Sequence, residues 1–296
     1  MVHSWGMNPE YERRVNRAMD HVRAHLTEEL SLGEVAKVAS FSPHHFHRVF
    51  RAVTGQTLNV FTQRARLERA AYLMKSSPER SLASIALDAG FSAHSDFTRV
   101  FKQHYGVAPS RWDRRSRLDA REIVDAYAEA LAAAKAEGPP VEPRVVEHPP
   151  LRLAYVRVRT PFIGPALHAA YARLCAWLEA RGVAWREAPL VGLSWDCYET
   201  TPLDQVCCDL GFGVPAYIAA EGEVGVHELP AVTSVDARAL GPLVRIAVVW
   251  EHLYDVWLPL GSRAPADLPA MKRFRRRPDE IGWETYDLDC SIALAD

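Results

Sequence analysis

Two short stretches of this 296-residue chain carry basic and hydrogen-bonding side chains at a spacing suited to gripping a polyanion. In the stretch HHFHRVFR, at about 100° per residue, a helix sets His44, His47, Arg48 and Arg51 on one side and Phe46, Val49 and Phe50 on the other. Fifty-one residues later Phe97, Val100 and Phe101 oppose Ser95, Thr98, Arg99 and Lys102, with His94 and Asp96 at the edges of that face. An α-helix fits the major groove of DNA, where arginine pairs with guanine through two hydrogen bonds and His, Ser or Thr reaches base edges or phosphates. Asp96 is unusual there, because it repels phosphate or accepts only from a cytosine amino group. A lone exposed arginine is ordinarily just solvated. Two register-matched copies in one basic region say more.

The elements that hold these residues repeat. SLGEVAKVASFS (31–42) matches SLASIALDAGFS (81–92) at an offset of 50, and FHRVFRAVTG (46–55) matches FTRVFKQHYG (97–106) at 51. The extra residue falls in the turn between two helices, where insertions are tolerated. Each copy reads as a helix, a tight turn and a second helix. Leu32, Val35, Ala36 and Ala39 form the apolar side of the first helix, and Leu82, Ile85, Ala86 and Ala89 that of its counterpart. Gly90 permits the second turn, and Ser42 and Ser92 are the expected caps of the following helices. An amphipathic helix with Val15, Met19, Val22 and Leu26 inward precedes the first copy. Leu58 to Ser76, free of Gly and Pro, predicts a connecting helix of about 28 Å, close to the roughly 34 Å between successive major-groove segments. One chain then spans two adjacent half-sites.

Residues 8–116 resemble the AraC/XylS family of transcription regulators. The second copy, SLASIALDAGFSAHSDFTRVFKQHYGVAPSRW, follows the family pattern of A-x-x-x-G-F-S, a Phe, R-x-F-K, an aromatic-Gly and a Pro. The resemblance implies two helix-turn-helix subdomains bridged by a long helix, binding promoter DNA and affecting RNA polymerase recruitment. It carries base-reading roles onto His44, His47 and Arg48 and onto His94, Ser95, Asp96, Thr98 and Arg99.

Charge separates the chain in the same place. Residues 1–118 hold 18 Lys+Arg against 11 Asp+Glu, a net of +7, whereas 119–296 hold 17 against 26, a net of −9. A basic module joined to an acidic one suits a DNA binder with a second function. The boundary is an Ala- and Glu-rich helical stretch that stops at Gly138-Pro139-Pro140, so the expected domains are 1–118, a semi-rigid helical linker over 119–140, and 141–296.

The third segment mixes patterns: strands at 151–160, 190–198 and 209–214, a helix at 166–181, and an echo in which Pro150, Trp177 and Leu178 recur as Pro230, Trp257 and Leu258. The expected fold class is multidomain, with an all-α N-terminal domain of two helix-turn-helix units and an α+β C-terminal domain built from a duplicated strand-helix-strand-strand unit. From about Val145 to Leu294 the chain resembles the gyrase-inhibitor-like (GyrI-like) effector-binding domain, through PLVGLSWDCYETTP, DLGFGV, WEHLYDVWLPLG and DCSIAL. That resemblance implies a cleft between two related halves for a small-molecule effector, often lipophilic or cationic and held against a buried glutamate. Here the chain has Lys272, Arg273 and Phe274 in place of that glutamate and its followers, with Glu251 or Glu284 as substitutes. A buried lysine disfavours a cation and favours an anion. Trp195, Phe212, Trp250, Trp257, Lys272 and Phe274 are the candidate cleft neighbours.

Other chemistries find less support. No G-x-S-x-G elbow or H-E-x-x-H motif argues for catalysis, so an enzyme is not expected; a small-molecule hydrolase or a protein-sequestering module in the second domain is the alternative. The cluster HHFH (44–47) lacks a neighbouring thiol or carboxylate, and His21 and His25 read as surface residues, so no metal or cofactor is expected. The five cysteines are odd in number and form no C-x-x-C pair, as idle reduced thiols would. With no apolar run of about 18 residues and no signal peptide, the expected location is the cytoplasm.

Overall fold

The computed structural model describes residues 8–112, 121–159, 164–196, 201, 206–261, 263–266 and 268–295, with side chains from 129 onward in the helix that starts at 121. The basic stretch 113–120, together with Cys197 and Tyr198 of the expected strand 190–198, lies outside the described residues. The chain divides into two compact units, residues 1–116 with 220–225 and residues 117–219 with 226–296.

The first unit is helical: α1 Pro9–Ala24, α2 Leu32–Val38, α3 Pro43–Thr54, α4 Leu58–Ser76, α5 Leu82–Asp88 and α6 His94–Tyr105. Ser31 caps α2 through a capping box, accepting from the Glu34 amide at 3.2 Å while the Glu34 carboxylate accepts from the Ser31 amide at 3.0 Å. Pro43 opens α3 behind Ser42, whose hydroxyl accepts from the His45 amide. Gly55 and Gly106 end α3 and α6 in the left-handed region, both at φ 75°. Phe46, Phe50 and Phe61 are fully buried in the first helix-turn-helix, and Ile85, Phe97, Phe101 and Trp112 close on Leu67, Ala71 and Met74 of α4 in the second. Leu32, expected inward, is instead partly exposed, at 39%. Each fully buried phenylalanine contributes about 1.5–3 kcal/mol, so α4 is the shared wall of two cores.

The expected cap at Ser92 is corrected by the structure: α6 is capped by Ala93, with no side-chain hydrogen bond. The one-residue insertion explains this, because it falls between Ser92 and the helix and moves the hydroxyl one position too early.

Gly90 joins the two halves of this unit. Its φ is 91°, and a Cβ there would stand 1.9 Å from the Leu26 carbonyl oxygen, to which Arg66 Nε donates at 2.8 Å. Gly90→Ala should cost about 1–2 kcal/mol for the left-handed backbone alone and more for the collision with Leu26. Gly55→Ala, with a similar φ and open space around it, should show only the first part. Helical unfolding followed by circular dichroism checks this; equal losses in the two variants would deny the contact any role.

The second unit is one eight-stranded sheet: β1 Arg144–His148, β2 Leu151–Arg159, β3 Leu190–Ser194, β4 Cys207–Gly213, β5 Gly225–Leu229, β6 Val232–Gly241, β7 Ala270–Arg276 and β8 Tyr286–Ala293, ordered β1-β6-β8-β7-β3-β4-β2-β5. The pairs β1–β6, β2–β4, β3–β4, β3–β7, β6–β8 and β7–β8 are antiparallel. With α8 Gly164–Glu179 and α9 Leu243–Glu251, the units β2-α8-β3-β4 and β6-α9-β7-β8 repeat and meet at the β3–β7 pair. This is the expected duplicated strand-helix-strand-strand unit. Successive strand residues face opposite sides, and both helices cover one side. Under α9 lie Val235, Ala237, Ala239, Leu288 and Cys290, and Tyr171 of α8 meets Phe212 of β4. The preceding helix, α7 Arg121–Glu137, packs Leu131 on Ala247 and Val248 of α9, and Lys135 pairs with Glu251.

Candidate nucleic-acid interface and ligand-binding face

Helix geometry sorts the side chains of α3 and α6. Phe46, Val49 and Phe50 are buried, while His44, His47, Arg48 and Arg51 are exposed. Phe97, Val100 and Phe101 are buried, His94, Ser95, Arg99 and Lys102 exposed, and Asp96 and Thr98 half-buried. His45 leaves this face and lies edge-on to Phe41 and Tyr11, at 5.0 and 5.7 Å between ring centres. The two faces are not electrically equal. Arg48, Arg51 and Lys102 have no acidic partner among the described residues. Arg99 pairs with Asp96 one turn back, and the Thr98 hydroxyl donates to the His94 carbonyl at 2.9 Å. Asp96 occupies the position of His45 in the first copy, so the first helix presents Arg48 free and the second presents Arg99 already held.

In the second unit the sheet side away from α8 and α9 carries charge. Asp209, fully buried on β4, accepts from Arg157 Nε at 2.6 Å and Nη2 at 2.7 Å, from Trp195 Nε1 at 2.7 Å, and lies 2.9 Å from His227 Nε2. Burial by itself raises its pKa. The Arg157 charge and hydrogen bonds, helped by His227, override that and hold the carboxyl well below the usual range. His227 stacks on Tyr155 at 3.9 Å. In the second half Asp287 accepts from Arg238 and Arg276, Asp289 from Arg144 and Arg275, and Asp236 from Ser234 and faces His148. A bulge between Phe274 and Arg276 lets consecutive arginines 275 and 276 reach the same side.

The six candidate cleft residues do not converge on one place. Trp195 lies on this charged side, packed against Leu153, Tyr155, Val191, Leu193 and Met271. Phe212 sits on the helix side against Tyr171 and Trp185. Trp250, Trp257 and Phe274 belong to the core under α9. Lys272 also faces the helix side, its ammonium donating to Ser194 Oγ at 2.7 Å. Glu251 pairs with Lys135 of α7, and Glu284 is exposed. Tyr155, Arg157, Asp209 and His227 were not singled out as site residues by the sequence, although LRLAYVRVR places Tyr155 and Arg157 on one strand face and Asp209 stands alone in an apolar strand; Arg273 was named only as the neighbour of Lys272. The described cysteines, Cys175, Cys207, Cys208 and Cys290, are free and buried.

Residues 35–115 match the helix-turn-helix domain family, and residues 141–293 match the GyrI-like small molecule binding domain. Regulatory protein SoxS of Salmonella typhimurium is 32% identical over 108 residues, covering 36% of this chain and 98% of SoxS. Regulatory protein PocR of the same organism is 34% identical over 102 residues, 34% of this chain and 33% of PocR, so the chain spans about a third of that relative's length. Among solved structures, a transcriptional regulator with an AraC-type DNA-binding domain from Chromobacterium violaceum aligns at 25% identity and a TM-score of 0.31, over 33% of this chain and 86% of its own. EcmrR in a DNA complex aligns at 12% identity and a TM-score of 0.43, over 90% of this chain and 99% of its own.

Proposed function

Because the chain belongs to the AraC-type helix-turn-helix transcription regulators and carries a GyrI-like small molecule binding domain, we propose that α3 and α6 read two adjacent major-groove segments of promoter DNA while an effector in the second unit modulates that grip. The observation that carries the DNA reading is the matched pair of exposed basic faces, Arg48 with Arg51 and Arg99 with Lys102, backed by buried phenylalanines. Base reading falls to His44, His47, Arg48, His94, Ser95, Thr98 and Arg99, and Arg51 and Lys102 hold phosphates. The working division is a DNA-binding domain over 1–118, a helical link over 119–140 and an effector domain over 141–296. RNA polymerase is the second macromolecular partner, the cytoplasm the place of action, and catalysis no part of it. Among the described residues no helix is long and apolar enough to cross a membrane. Footprinting across the genome tests the core claim: protected sites should contain two half-sites one helical turn, about 10 base pairs, apart. Sites with one half only would overturn it.

Asp96 gives a sharper test. It both repels phosphate and holds Arg99, so Asp96→Asn should tighten binding several-fold on operator and random DNA alike. The slope of log affinity against log salt should steepen by about one ion. Fluorescence anisotropy across a salt series measures both, and an unchanged slope would place Asp96 away from the duplex.

A further inference from the structure

The ligand-binding reading of the second unit leaves the chemical class of its effector open. We infer that this effector is an organic anion, its acid group held by Arg273 on the sheet side away from α8 and α9. The inference rests on that reading and adds the ligand's charge.

Charge on that side runs against the domain as a whole. Residues 119–296 carry a net −9. Among the described residues of this side, however, the arginines 144, 157, 159, 238, 273, 275 and 276 outnumber the aspartates 209, 236, 287 and 289. Each aspartate already has its partners. Asp287 and Asp289 are each held by two arginines, and Asp236 by Ser234 and His148. Asp209 engages Arg157 through both oxygens, and Trp195 and His227 also meet its Oδ2. A cationic ligand would have to displace Arg157 to reach it.

Arg273 is the exception. It stands on β7 opposite Val191 of β3 and Asp289 of β8, where the two halves of the sheet meet. Asp289 is taken by Arg144 and Arg275, and no ion pair to Arg273 exists among the described residues. Its Nε is buried without an acceptor, and Nη2 has only the Met271 sulfur, at 3.3 Å. Desolvation weakens its hold on the proton, yet a guanidinium stays charged in proteins. A half-buried cation lacking an oxygen acceptor is completed by a carboxylate or sulfonate, which can accept two parallel hydrogen bonds from it. The neighbouring Lys272 cannot serve on this side, because the pleat turns it towards the helices.

The test uses the full chain and a matched pair of probes, 2-naphthoate and 2-naphthylmethylammonium, titrated by calorimetry. Saturable binding of the naphthoate at least tenfold tighter than the ammonium is expected. Arg273→Met should weaken the naphthoate tenfold or more, and Arg275→Met, on the same side but paired with Asp289, less than threefold. Should Arg273→Met fail to fold, the wild-type preference between the two probes still decides. Preference for the ammonium would overturn the inference and leave effector binding standing. Saturation by neither probe would overturn both. Naphthoate binding unaffected by a folded Arg273→Met would overturn the role of Arg273.

Discussion

Alanine at both Arg48 and Arg99 is expected to weaken operator binding thirtyfold or more, since each bidentate arginine–guanine pair is worth about 1–3 kcal/mol. The two single variants should differ in kind. Arg48 is exposed and has no acidic partner among the described residues, so Arg48→Ala should lose discrimination at one base and little else. Arg99 is paired with Asp96, so Arg99→Ala also bares a carboxylate towards phosphate and should weaken every sequence. Asp96→Ala added to Arg99→Ala should recover that general loss without restoring base preference. Arg51→Ala and Lys102→Ala should instead each lower the salt slope by about one, with operator and random DNA affected alike. Anisotropy titrations on operators mutated one base at a time separate these outcomes. Unchanged binding in the Arg48→Ala, Arg99→Ala variant would mean that the duplex meets another face.

Arg157→Met is expected to destabilise the second unit by about 3–5 kcal/mol at neutral pH, the usual effect of stranding a buried charge by removing its partner. Asp209 is fully buried, and the Arg157 side chain that holds it is almost as inaccessible. The pH dependence follows from the sign of the shift. The folded pKa of Asp209 is depressed, so the stability it contributes is fully present above its unfolded value, about 3.9, and is lost as pH falls towards the folded value. Without Arg157, burial dominates and Asp209 takes up a proton on folding, so the variant should gain relative to the wild type on acidification. Urea midpoints at pH 7 and near pH 3.5 measure the gap between the two proteins. A gap that stays constant would remove Asp209 from the account.

Most of the first unit was legible because helical burial is a local matter. The spacing of Phe46, Val49 and Phe50 settles which side of α3 is inward whatever lies beyond it, and the 50- and 51-residue offsets carry that reading to α6. The bounds of α4, Leu58–Ser76, follow from a stretch without breakers, capped by Thr57. The failed cap at Ser92 came from the same repeat, since identical residues were assigned identical roles across an insertion that shifts them by one.

The sheet was harder, and its charged side was missed. Lys272 and Arg273 are adjacent, and only pairing with β3 and β8 decides which faces the helices. The family resemblance puts Lys272 in place of the glutamate as the cleft residue, but the pleat sends Lys272 to Ser194 and Arg273 to the opposite side. Asp209 and Arg157 lie 52 residues apart and meet because β2 and β4 pair at that register. The docking of α7 on α9 likewise joins Leu131 to Ala247 and Val248 across more than a hundred residues.

The amino-acid order alone therefore determined that this protein carries two like helical units with basic outer faces, because a helix sorts its side chains by spacing within a few turns. Which charges stand together on the sheet, and which arginine lacks a counter-ion among the described residues, was decided only by the tertiary structure, because strand register is set between segments distant in the chain and a shift of one residue exchanges the two sides.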